Sequence, residues 1–273
     1  MRMLIRAPVV LLAATVLAGT LACAPGDDPG GAASALPRTY DDRPDLNGIW
    51  QTNNTAHWDL EAHSARAGAA VPLGAVGAIP AGKSVVQGGE IPYTEAALAQ
   101  RQENQEQWLT ADPEIKCYLP GVPRVMYMPF PFQIVQSPDF ILIASEYIGA
   151  TRSVYMTDVE PPPIDTYMGH SVGRWEGDTL VIESNTFTDQ TWLDRAGNFH
   201  SPALRVVERI TLISPDALQY EATLEDENVF TGPWTISMPM YRRLEPDAEI
   251  LEFNCVEFVE ETMWGHLTKP GGE

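Results

Sequence analysis

The sequence predicts an all-β domain: an antiparallel meander closing into a barrel, with a two-sheet sandwich as the alternative and one surface helix on the N-terminal side. Three observations carry this. From Phe130 onward, apolar and polar residues alternate with the period of half-buried strands. A turn tripeptide ending in Asp recurs as Ser137-Pro138-Asp139, Glu176-Gly177-Asp178, Ser214-Pro215-Asp216 and Glu245-Pro246-Asp247. Pro presets φ for a turn, Gly supplies positive φ, and Asp bonds back to nearby backbone, so each reads as a short hairpin loop. Only one segment, 94–109, reads as a convincing helix, with Thr94 as N-cap and a body rich in Glu, Ala and Gln. Many short strands without long helices leave exposed edges unless the sheet closes or doubles.

Along the chain, residues 1–22 read as a secretory signal. Arg2 and Arg6 form its positive end, Ala7 to Ala18 its apolar stretch, and small residues lead up to Ala22. The apolar run is shorter than the ~20 residues that a spanning helix needs. Cys23 has two readings: a lipid-anchor cysteine, or ordinary cleavage near Ala22 or Ala24. Thr20 stands where a lipoprotein signal usually has leucine. Residues 23–43 form a flexible tether rich in Gly, Ala, Pro and Asp. A first strand over 46–52 opens the segment 44–92, which then loses its period. The helix occupies 93–110, the meander 111–265, and a short tail 266–273. Strands are expected over 131–136, 140–148, 152–157, 170–175, 179–186, 204–213, 217–224, 234–243 and 249–258. The roughly 230 residues after the tether suit one sizeable domain.

The formal net charge is −20, and losing Arg2 and Arg6 with the signal makes it −22. Such a field repels nucleic acid and anionic lipid and favours neutral or cationic partners. Membrane contact is expected only through a lipid on Cys23. Cys117 and Cys255 are far apart in a chain bound for an oxidising compartment, so a disulfide between them is expected. No C-x-x-C, P-loop or G-x-G-x-x-G is present, and the histidines lack metal-ligand spacing, His57 with His63 being the nearest to a pair. No metal or cofactor is implied.

Strand parity assigns side chains to faces. A three-residue loop at Glu176-Gly177-Asp178 sets Arg174 opposite Leu180, Val172 opposite Ile182 and His170 opposite Ser184, which turns His170 inward. Leu204, Val206, Ile210 and Leu212 share a face with Glu208, which then lies opposite Ala222, while Ile210 lies opposite Tyr220. An unpaired carboxylate there costs several kcal/mol or shifts its pKa upward. Glu208 therefore needs a partner among His170, His200, Arg152 and Arg174; Arg152 shares the parity of Val154 and Met156. The long connection 187–203 reads as a lid or binding loop and offers Asp189, Trp192, Asp194, Arg195 and His200.

Gly48-Ile49-Trp50 resembles the G-x-W that opens lipocalin barrels, which makes the expected barrel lipocalin-like. The segment Gly169-His170-Ser171-Val172-Gly173-Arg174-Trp175-Glu176-Gly177-Asp178-Thr179-Leu180-Val181 resembles a family of exported bacterial proteins sharing G-H-S-[IV]-G-x-W-E-G-D-T-L-V. The likeness extends to Lys116-Cys117, Pro120-Gly121-Val122-Pro123-Arg124, Trp192-Leu193-Asp194, Gly197, His200-Ser201 and Glu208-Arg209. It implies export and a β-rich fold, and carries no activity with it.

The leading expectation is an exported binding protein holding a small, mostly apolar or neutral ligand in a barrel cavity. Arg152, Arg174, Asp189, Trp192, Asp194 and Tyr220 are its expected ligand contacts. The alternative is a cofactor-independent acid–base enzyme (hydratase, lyase, isomerase or hydrolase). In it His170 or His200 acts as base or acid, Glu208 orients that group, and Arg152 or Arg209 holds an anion. A competing account makes Glu208 and an arginine a buried structural pair, His170 a core histidine and His200 a loop cap. A further alternative is carbohydrate recognition through exposed tryptophans among the seven.

Overall fold

The computed structural model describes residues 36–268. The signal segment 1–22, Cys23, the tether up to residue 35 and the last five residues of the tail lie outside the described residues. Nine strands form one closed barrel: β1 (Gly48–Gln51), β2 (Phe132–Gln136), β3 (Phe140–Ser145), β4 (Thr151–Tyr155), β5 (His170–Glu176), β6 (Thr179–Asn185), β7 (Arg205–Ser214), β8 (Ala217–Glu225) and β9 (Trp234–Arg242). Among the described residues three α-helices accompany them: α1 (Glu95–Glu106), α2 (Trp108–Ala111) and α3 (Val259–Thr268).

Neighbours pair antiparallel except β4 and β5, which run parallel through Val154↔Ser171 and Tyr155↔Val172. A ring of strictly alternating strands closes only with an even number. Nine strands therefore require one parallel junction, and residues 156–169 cross back along the barrel to make it. The meander is thus antiparallel with a single seam. Closure comes from β1, which sits between β2 and β9 through Trp50↔Phe132 and Trp50↔Arg242.

The expected strand 249–258 does not form. β1 fills the place beside β9, and the chain after β9 leaves the barrel as a strap. The Leu251 amide donates to Glu146 Oε2 at 3.1 Å, and the Phe253 ring lies 4.6 Å from Phe130 and 5.6 Å from Tyr147. The strap is bonded at Cys255 to Cys117 and ends in α3, where sequence reading expects the end of the meander and a tail. Helix α1 begins as read, with Thr94 Oγ1 accepting from the Ala97 amide.

Alternation along β7, β8 and β9 buries every second residue: Val206, Glu208, Ile210 and Leu212; Leu218, Tyr220, Ala222 and Leu224; Ile236, Met238 and Met240. Where β1 meets β9, Trp50 is fully buried against Arg242. The Arg242 guanidinium lies 4.1 Å over the indole ring and donates to Asn47 O and Pro215 O, while Trp50 Nε1 donates to Leu46 O. Gly48 explains itself here: at φ +139° an added Cβ would lie 2.1 Å from Arg242 Nη1. Gly48→Ala is expected to lower unfolding free energy by about 2 kcal/mol in urea titration. Gly232→Ala, where the new methyl meets nothing within 4 Å, should stay within about 0.5 kcal/mol of the parent.

Candidate functional site

The barrel centre holds an ion pair. Arg152 on β4 points inward; Nη1 donates to Glu208 Oε1 at 3.0 Å and Nη2 to Glu208 Oε2. Its Nε donates to Ser171 Oγ on β5 at 2.9 Å and Nη2 also to Ser184 Oγ on β6 at 2.7 Å. Tyr220 Oη on β8 donates to Glu208 Oε1 at 2.8 Å, and burial together with the Glu208 charge pushes that phenol well above its ordinary range. The register Glu208↔Ala222, Ile210↔Tyr220 and Leu212↔Leu218 is the expected one. Arg152, among the four candidates, is the partner that Glu208 finds.

His170 does not join them. The β5–β6 loop is two residues long, Gly177 at φ +61° and Asp178, with Glu176 pairing Thr179. That shifts the expected register by one and reverses the faces of β5. His170 now pairs with Asn185, and Ser171, opposite Ser184, turns inward in its place. The His170 ring lies on the outer side, stacked 5.6 Å from Tyr155, and Nε2–H donates to the Val159 carbonyl at 2.9 Å, tying down the crossover. A carbonyl only accepts, so Nε2 carries a proton. A cleft of about 390 Å³ opens at the seam, with His170, Arg152 and Ser171 on its walls.

The other expected contacts disperse. Arg174 is exposed and paired with Glu176 and Glu183, and Asp189 is exposed as well. The connection 187–203 is no loose lid: Thr191, Trp192, Leu193, Asp194, Asn198 and His200 are buried. Asp194 organises it, accepting from the amides of Leu60, Ala196 and Asn198 and from Asn198 Nδ2. Burial and the nearby Asp59 push Asp194 up to about 7, against those four donors that favour its charged form. His200 accepts from Thr191 Oγ1 at Nε2 and donates from Nδ1 to Ser201 O, so it is a neutral connector; burial lowers its pKa.

A second buried network, absent from the sequence reading, lies outside the barrel wall. Arg124 makes a two-pronged pair with Asp112 at 2.9 and 3.1 Å, and its Nη2 also donates to Glu114 Oε2 at 2.6 Å. Glu114 takes Arg195 Nε and Nη2 at 2.9 Å each, and Arg195 Nη1 reaches Glu260 at 3.0 Å. Burial opposes the Glu114 charge, yet His57, Arg195 and Arg124 together hold it well below the usual carboxylate range. His57 Nε2 stands 3.4 Å from Glu114 Oε2, and burial lowers the imidazole to about 3. It is therefore uncharged at neutral pH, where the two arginines alone keep Glu114 ionised. His57 Nδ1 and Arg124 Nε are buried without a hydrogen-bond partner among the described residues.

Arg195 is the hinge between this network and the surface. Its guanidinium lies 4.8 Å from the Trp58 ring and 5.3 Å from the Trp108 ring. On one side is a cleft of about 280 Å³, bounded by His57, Glu114, Phe130, Tyr147 and Phe253 under the strap. On the other is a more apolar cleft of about 290 Å³, walled by Trp58, Trp108, Trp264, Leu73, Val76 and Leu109. Arg195, Glu260 and Glu261 supply its polar edge. Leu73 and Val76 come from a short 3₁₀ stretch, Val71–Gly77, and Val76 is 95% exposed at the mouth.

Fold and site together define a closed β-barrel with a buried ionic centre and a tryptophan-walled cleft outside its wall. No protein-family profile matches the chain, and no curated protein matches it either.

Two measurements test these assignments. Glu208→Ala strands a buried guanidinium and should cost about 3–5 kcal/mol in urea unfolding, whereas the pair Arg152→Met with Glu208→Leu should recover most of it. For His57, the folded pKa lies below the unfolded one, so its contribution is complete above pH ~6.5 and is lost as pH falls toward 3. Between pH 7 and 4.5, His57→Gln should lose about 2–3 kcal/mol less stability than the parent. An equal loss in both proteins would refute the assignment.

Proposed function

We propose that this is an exported, lipocalin-like protein that binds a small, mostly apolar ligand, and that the ligand occupies the tryptophan-walled cleft. The single observation that carries the reading is the wall itself: three indoles and several aliphatic side chains around one edge of fixed charge. Apolar concavities with a few placed polar groups are the usual form of small-molecule sites. The barrel interior supports this placement, because Trp50, Phe132, Ile134, Ile182, Ile210 and Tyr220 fill it and the Arg152–Glu208 pair crosses it. The N-terminal residues 1–22 and the Cys117–Cys255 bond both fit export to an oxidising compartment.

The acid–base alternative loses its constellation, since His170 and Glu208 lie on opposite faces of the barrel wall. The carbohydrate alternative lacks a platform: Trp50, Trp192 and Trp234 are buried, and the other four tryptophans are half-buried.

The test uses a neutral fluorescent probe, N-phenyl-1-naphthylamine. Saturable enhancement is expected with the parent protein and a roughly tenfold weaker affinity in Trp264→Ala. Val76→Glu should weaken it similarly, by placing a charge at the mouth. Unchanged affinity in both variants, with unchanged melting temperatures, would refute the placement. Native mass spectrometry of protein purified from its host should then show a co-purifying small molecule.

A further inference from the structure

We infer that the tryptophan-walled cleft selects an organic cation, an aromatic or aliphatic body carrying an ammonium group. The inference rests on the binding reading above and adds the charge of the ligand. Arg195 is the one cation in the cleft wall among the described residues, and it is fully engaged: Glu114 and Glu260 take its nitrogens, and Trp58 and Trp108 flank its guanidinium. Glu260 is engaged in return. Glu261 is different. It is half-buried in the same wall, and no lysine or arginine among the described residues pairs with it.

Glu260 and Glu261 lie in the first turn of α3, where acidic residues complement the helix dipole. That accounts for acids at this helix start, and it leaves Glu261 as the uncompensated charge of an apolar cleft. A carboxylate in such surroundings gains most from a cation that arrives with an apolar body, because both are then shielded from water together. Trp264, the indole of the wall that no guanidinium faces, attracts cations by its quadrupole and adds a second preference of the same sign. The net charge of −20 adds a third by concentrating cations around the molecule and repelling anions. An apolar anion of equal size would meet Glu260, Glu261 and that field at once.

Three ligands of one shape class separate the outcomes: benzyltrimethylammonium, benzyl alcohol and phenylacetate, titrated against tryptophan fluorescence at low and moderate salt. The cation is expected to bind about tenfold tighter than the alcohol, with phenylacetate weakest. In Glu261→Gln, a substitution at a half-exposed position, the preference of cation over alcohol should fall to about twofold, with the melting temperature within about 3 °C of the parent because only a helix-dipole contact is lost. Equal binding of alcohol and cation, tighter binding of phenylacetate, or a preference that survives Glu261→Gln would overturn the inference while leaving the binding reading in place. Failure of all three ligands and of the naphthylamine probe to bind would overturn both.

Discussion

One guanidinium holds five consecutive strands together. Arg152 leaves β4 and reaches Ser171 on β5, Ser184 on β6 and Glu208 on β7, and Glu208 in turn takes Tyr220 from β8. The parallel junction between β4 and β5 has two paired positions, as few as the junction of β1 with β9. The ionic cluster fastens that seam from within. Burying such a pair gives uncertain net stability, because desolvation offsets much of the attraction. Its value here is geometric: it fixes the register of strands whose backbone pairing alone is slight.

The same device recurs outside the wall. Arg124 and Arg195 share Glu114, and through it connect the 3₁₀ turn Arg124–Met126, the connection 187–203 and the start of α3. Asp194 links that connection to the backbone of Leu60. The edge that the two clefts share, Arg195 with Glu114 and Glu260, is therefore held in place by hydrogen bonding. A binding surface gains from such a fixed edge, since little freedom remains to be lost there when a ligand arrives.

The barrel and the placement of Glu208 were legible because β7 and β8 are long, strictly alternating and joined by a turn rich in Pro and Asp. Parity over ten residues leaves little ambiguity. The preceding hairpin differs from its expected register by a single residue, and in a period-2 structure that turns every side chain of β5 to the other face while β6 keeps its own. Val181 and Ile182 are both buried, so the burial pattern of β6 offered no check on the turn length. The network of His57, Asp112, Glu114, Arg124 and Arg195 was illegible for another reason. Its members come from segments without period, and only the folded chain brings position 57 beside 114 and 195. Trp58, Trp108 and Trp264 are separated in the same way, so a shared wall left no trace in spacing.

The bond between Cys117 and Cys255 draws a covalent hoop around part of this barrel. Strands β2 to β9 all lie within it, whereas β1 precedes Cys117 and lies outside. β1 is thus the one stave that the hoop does not gather: four residues wedged between β2 and β9, held by ladder bonds and by the Trp50–Arg242 contact. If it were withdrawn, an oxidised chain would keep its other eight strands and bare two complementary edges, a slot that the first strand of another copy would fit.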